Sequence, residues 1–248
     1  MSRLLSALVA VALVAGLAAS AEASLIVNGS FENADVGGNE VPAGSFSNGF
    51  ETLDAGSTAI YGWTVTNNSI DWIAGYWKAA DGNYSLDMGG TLNSGDLTNA
   101  AGTLVSQRFA TTPGTWYRVQ FDMSGNPDGG PATKTMDATV SGSMGEGGIT
   151  EQDFSYTLDT LGTNSHSAMY WETKALWFEA LADQATLTFA STTFTPSAGQ
   201  YGPALDNVQV DAVVGDGSNS ILVPEPATVV VWSLLGVAAV GLALRRRR

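Results

Sequence analysis

The chain has 248 residues, no cysteine, one histidine and a formal net charge of −14. Disulfides, thiolate metal sites, cysteine nucleophiles and zinc sites built on several histidines are therefore excluded, and the acidic surface makes nucleic acid a poor partner. Setting aside Arg3, Glu22 and Arg245 to Arg248 leaves 5 basic and 23 acidic residues in positions 24–244, a charge of −18.

At the N-terminus Arg3 precedes an apolar run from Leu4 to about Ala19, then the small-residue site Ala21-Glu22-Ala23. This predicts a secretory signal peptide over residues 1–23. The length of the next stretch suits one large domain over residues 24–214. Glycine-rich Gly37 to Ser57 predicts a long loop. Trp63 follows Gly62, opens a strand and is expected in the core. Asp81-Gly82 is a tight-hairpin signal. "TWYRVQFDM" sets Trp116, Arg118 and Gln120 against Tyr117, Val119, Phe121 and Met123. "GNPDGGP" (125–131) is a loop. "KALWFEALA" sets Leu176, Phe178 and Ala180 against Trp177 and Glu179. "ATLTFAS" sets Leu187 and Phe189 against Thr186 and Thr188. "LDNVQVDAV" sets Val208, Val210 and Ala212 against Gln209 and Asp211. Period two with β-branched and aromatic residues means half-buried strands. The predicted fold class is all-β, a single jelly-roll β-sandwich.

"GDGSNSIL" (215–222) reads as a flexible linker. The 18 residues Ala227 to Leu244 carry no charge. They predict a transmembrane helix over 227–244, about 27 Å long, with Arg245 to Arg248 cytoplasmic. Residues 223–248, with Pro224-Glu225-Pro226, an apolar span and arginines, resemble the PEP-CTERM sorting signal of bacteria. The resemblance implies an exosortase-type membrane protease as partner and a membrane-anchored precursor that is then released to the surface or the extracellular matrix. The two prolines keep their segment extended and out of the helix behind it, open to a protease.

A second resemblance runs through "NGSFE" (28–32), "AGSTAIYGW" (55–63), "SIDWIAGYW" (69–77), "ADGNYSLDMGG" (80–90), "VSQRFATTPGTWYRVQFDMSGNPDG" (105–129), "ATLTFAS" and "GPALDNVQV" (202–210). The chain resembles the choice-of-anchor C family of bacterial surface proteins, related to a plant cell-wall domain family with a galactose-binding-like jelly roll. The insertion "TLNSGDLTNAA" (91–101) departs from its pattern. The resemblance implies a surface module with polysaccharide as the suspected ligand and no reaction. It also implies a structural calcium where the first strand meets the last. That position corresponds to Glu32 and Asp206, with Asn28 and Ser30 adding oxygens; the alternative is that Asp206 caps a turn and Glu32 is solvated.

Flat aromatic faces with polar neighbours suit sugar rings. Trp72, Tyr76 and Trp77 are either that platform, with Asp71, Asn67 and Lys78 as polar partners, or core rings. His166 lies in a polar loop and is expected to be solvated. No nucleophile elbow, cofactor motif or selected pair of carboxylates supports catalysis. The expected function is a non-catalytic exported surface or extracellular-matrix module that binds polysaccharide or acts structurally; the alternative is a secreted glycan-active hydrolase, whose paired carboxylates the 23 acids leave open.

Overall fold

The computed structural model describes residues 24–34, 46, 48–91, 101–158, 163–193, 200–214 and 221–222. The expected signal peptide, the sorting segment 223–248 and most of the 91–101 insertion lie outside them. Among the described residues no helix is long and apolar enough to cross a membrane. Residues 24–222 form one compact unit.

This unit is all-β. Its strands are β1 (Phe50–Asp54), β2 (Trp63–Asn67), β3 (Ser69–Ala74), β4 (Tyr84–Asp87), β5 (Thr103–Ser106), β6 (Phe109–Ala110), β7 (Trp116–Gly125), β8 (Thr133–Ser141), β9 (Ile149–Thr157), β10 (Glu172–Glu179), β11 (Gln184–Ser191), β12 (Pro203–Val214) and β13 (Ile221–Leu222). One sheet runs β1-β3-β4-β12-β7-β10, with β13 also on β12; the other runs β2-β5-β11-β8-β9, with β6 also on β11. The chain passes back and forth between the sheets, as a jelly roll does.

Alternation decides what each strand buries. In β7, Tyr117, Val119, Phe121 and Met123 are buried while Trp116, Arg118, Gln120 and Asp122 are half-exposed. Leu176 and Phe178 of β10 and Leu187 and Phe189 of β11 also point inward. Phe121 crosses the core to meet Phe154 and Phe189 edge-on, each at 5.0 Å between ring centres. Trp63 is 2% exposed and packs on Phe31 at 5.4 Å.

Two loop expectations change. Phe50–Asp54 lies within the predicted Gly37 to Ser57 loop yet is a strand, paired with β3 from Phe50↔Ile73 to Asp54↔Ser69. Its glycines lie outside the strand itself, and β3 supplies the ladder. Likewise Ile221–Leu222, the end of the expected linker, pairs with Val213 and Val214.

Candidate functional site

At one rim of the sandwich, residues of β1, β3 and β4 and of neighbouring loops line a cleft of about 300 Å³. Phe50, Tyr76, Trp77 and Tyr201 supply rings, and Asp71, Asp87, Asn126, Asp128 and Gln200 supply polar groups. Register creates its floor: Asp71 of β3 lies directly opposite Asp87 of β4, and opposed residues share a face.

Asp87 is 1% exposed. Its Oδ1 accepts the N–H groups of Gly89 at 2.9 Å and Gly202 at 3.0 Å. Its Oδ2 accepts Asn126 Nδ2 at 2.7 Å. Burial, then the neighbouring Asp71 charge, pushes its pKa up to about 8, and the hydrogen bonds offset this only in part. At neutral pH the floor therefore holds a protonated acid. Asp71 accepts from Thr52 Oγ1 at 2.7 Å, Thr91 N–H at 2.9 Å and Thr91 Oγ1 at 2.9 Å; burial raises its pKa as well.

Lys134 is fully buried and donates to the carbonyls of Gly129 and Tyr201, both at 2.7 Å. It staples two walls of the cleft together. Burial lowers its pKa to about 8, with Asp87 pulling the other way. Its stem lies over Gly125, where an added Cβ would come within 2.7 Å of Lys134 Cγ.

At the mouth, Tyr76 donates its hydroxyl to Asp128 Oδ2 at 2.7 Å. His166 Nε2 meets Asp128 Oδ1 at 2.8 Å, and its ring centre lies 4.4 Å from that of Tyr76. The bond to Asp128 holds the Tyr76 phenol up to about 12. His166 is thus part of a network while its side chain stays 40% exposed, in keeping with the solvated position the sequence suggested.

Of the sequence-derived ligand residues, Asp71, Tyr76 and Trp77 line the cleft. Trp77 shows it little surface: it is 3% exposed and donates Nε1 to Ser85 Oγ at 2.8 Å. Trp72 requires a correction. It is 2% exposed, donates Nε1 to the Phe31 carbonyl at 3.1 Å and packs among Phe46 and Tyr84, so its face is not open to a ligand. Position on β3 decides this, since Trp72 points opposite to Asp71 and Ile73.

Glu32, Asp206 and Asn28, the expected calcium ligands, are engaged by protein donors. Asp206 Oδ2 accepts the N–H groups of Ala80 at 2.8 Å and Asp81 at 3.0 Å. Glu32 Oε1 accepts those of Asn83 and Tyr84, both at 2.8 Å. The two carboxylates grip one turn. Gly82 at its centre has φ +62°, and a Cβ there would lie 2.3 Å from Glu32 Oε1. Burial raises Asp206 to about 7 against these bonds. Asn28 braces its own loop through Asn33 and Tyr61. Elsewhere, on β8 and β9, Asp137, Glu151 and Asp153 bring carboxylate oxygens within 4.8 Å of one another; burial, then Asp153, pushes Asp137 to about 6.

Sequence reasoning missed Asp87, Asn126, Asp128, Lys134 and Tyr201. They come from separate segments and carry no shared spacing. The polar loop "GNPDGGP" and a lysine inside an alternating strand were the available signals.

The family described as protein of unknown function (DUF642) matches residues 24–211. The PEP-CTERM protein-sorting motif matches residues 222–248 and marks an exported protein sorted to the cell surface. Over 195 residues the chain is 30% identical to Halomucin of Haloquadratum walsbyi; this covers 79% of the chain and 2% of halomucin, so the chain spans a small part of that relative's length. Among solved structures it is similar to TmCBM61 in complex with beta-1,4-galactotriose (TM-score 0.47, 14% identity, 77% of this chain and 99% of that one). CBM35 from Paenibacillus barcinonensis gives a TM-score of 0.37 and 19% identity over 64% of this chain and 96% of that one.

Proposed function

The chain belongs to the DUF642 family, and from that premise we propose that it is a non-catalytic surface module that binds polysaccharide in the rim cleft. One observation carries the reading: the half-buried rings of Tyr76, Phe50 and Tyr201 converge with Asp71, Asp128 and Gln200 on one concave site. Ring faces take the apolar side of a sugar, while carboxylates and a carboxamide take its hydroxyls. The acids there favour a neutral glycan over an acidic one. The motifs between Asn28 and Val210 support a choice-of-anchor C type of surface protein within this family. Export runs through a signal peptide over 1–23, a precursor held by a helix over 227–244, and an exosortase-type protease at Pro224-Glu225-Pro226. Glu225→Ala should leave full-length protein in the membrane, while wild type appears outside as a shorter form.

The test of the cleft is a glycan array probed with wild type and with Tyr76→Ala. Loss of roughly tenfold in affinity with little change in Tm is expected. Unchanged binding would sink the reading.

The second reading, a secreted glycan-active hydrolase, is favoured by Asp71 and Asp87 sharing the cleft floor, one of them protonated at neutral pH. Against it, every Asp87 oxygen is already bonded within the wall. Sustained sugar release that Asp71→Asn abolishes would favour the hydrolase.

A further inference from the structure

The edge of the seven-stranded sheet presents an outer face that the rim cleft does not use. β10 pairs with β7 so that Thr173 opposes Asp122, Ala175 opposes Gln120, Trp177 opposes Arg118 and Glu179 opposes Trp116. Because Leu176 and Phe178 point into the core, these opposed pairs all point outward. On the far side of β7, β12 continues two of the rows with Gln209 beside Gln120 and Asp211 beside Arg118. From Thr173 to Glu179 this track is roughly 20 Å long.

Its surface is unusual in three respects. Trp177 is 41% exposed and Tyr170, just before β10, is 57% exposed, while Trp116 is half-buried. Indole and phenol rings therefore stand at both ends of the track. Tyr170 also has φ +52°, a strained conformation for a bulky residue, and such strain clusters at binding sites. Between the rings lie polar groups with spare capacity. The Arg118 guanidinium meets Asp211 at 3.5 Å and its side chain stays 27% exposed. The Gln120 carboxamide makes no hydrogen bond among the described residues. Gln209 donates Nε2 to Asn207 Oδ1 at 2.8 Å, which leaves its Oε1 open. At the Tyr170 end the track runs into a hollow of about 350 Å³ lined by Tyr170, Trp171, Asp122 and Thr173.

We propose that this face of β10, β7 and β12 is a second glycan-binding track, taking an extended neutral polysaccharide along β10. The proposal rests on the polysaccharide reading of the chain but not on its cleft. Separated rings with the open carboxamide groups of Gln120 and Gln209 between them suit a chain of hydroxylated rings. A partner protein needs a more continuous apolar patch. Asp122, Asp211 and Glu179 outnumber Arg118 on the track, which repels an acidic polymer.

The experiment is affinity electrophoresis of the exported protein in gels containing hydroxyethylcellulose, xylan, galactan or polygalacturonate. Wild type is compared with Trp177→Ala, Gln120→Ala and, for the cleft, Tyr76→Ala. Trp177→Ala should weaken retardation by a neutral polymer roughly tenfold, the effect of losing one aromatic anchor. Gln120→Ala, which breaks no bond within the protein, should weaken it several-fold. Polygalacturonate should retard none of the forms. If Tyr76→Ala alone reduces binding, the cleft stands and the track is overturned. If only the track variants do, the track stands and the cleft reading falls. No retardation of wild type by any neutral polymer overturns the track. So does unchanged glycan binding by Trp177→Ala together with loss of self-association in sedimentation, because the face is then an interface between two copies.

Discussion

The two faces of the seven-stranded sheet use the same residue types for opposite ends. Inward, Trp72 is 2% exposed and its indole N–H is bonded to a backbone carbonyl. Outward, Trp177 is 41% exposed and stands opposite Arg118 on the neighbouring strand. Strand β7 supplies both faces in strict alternation. A tryptophan in this fold is thus core or surface by strand parity, not by its local sequence. Trp72 sits in the more aromatic segment, yet Trp177 is the ring that solvent sees.

Truncating the two rings separates the faces most clearly. Trp72→Ala should cost about 3–5 kcal/mol, because it opens a cavity in the core and frees the Phe31 carbonyl. Its denaturant midpoint should fall steeply; a small change would mean that the ring is not structural.

Next comes the turn at residues 80–84. Asp206→Ala strips the acceptor from the N–H groups of Ala80 and Asp81 at a buried position, for about 1–3 kcal/mol. Asp206→Asn keeps an acceptor and should cost less. Since protein N–H groups already occupy these oxygens, chelation should leave Tm unchanged; a lowered Tm would mean that an ion shares them.

The buried pair at the cleft floor should emerge as a pH effect. Unfolded, Asp87 loses its proton near 3.8, but folded it keeps it to about 8. The folded state therefore binds more protons between those values, and stability falls as pH rises through them. Lys134 releases its proton at about 8 when folded, against 10.5 unfolded. Here the unfolded state binds more protons, so stability rises from about 8 upward. Denaturation measured on both sides of pH 8 should show a minimum near there, and Asp87→Asn should make its acidic limb less steep, with the raised Asp206 and Asp137 supplying what remains.

The smallest effect belongs to the outer ring. Trp177→Ala should change stability by less than about 0.5 kcal/mol, as exposed positions do. A loss approaching that of Trp72→Ala would show that the outer face packs against something.

The all-β class was legible in the sequence because alternation is a local property: Tyr117, Val119, Phe121 and Met123 declare their shared face within one strand. Glycine and proline placed most loops for the same reason. Phe50–Asp54 escaped because its pairing partner, β3, lies fifteen or more residues away in every register pair. The sorting segment was legible because the PEP-CTERM motif is short and linear, and needs no tertiary contact to be recognised. The cleft was legible only in part: Asp71, Tyr76 and Trp77 sit within one stretch, but nothing local says that Asp87, Asn126, Lys134 and Tyr201 meet there. Burial, which turns Asp87 into an acid that holds its proton at neutral pH, and register, which sets Trp177 beside Arg118 and Asp211, exist only once distant strands have paired. Both depend on which chain segments exclude water together, and that is decided by the tertiary structure.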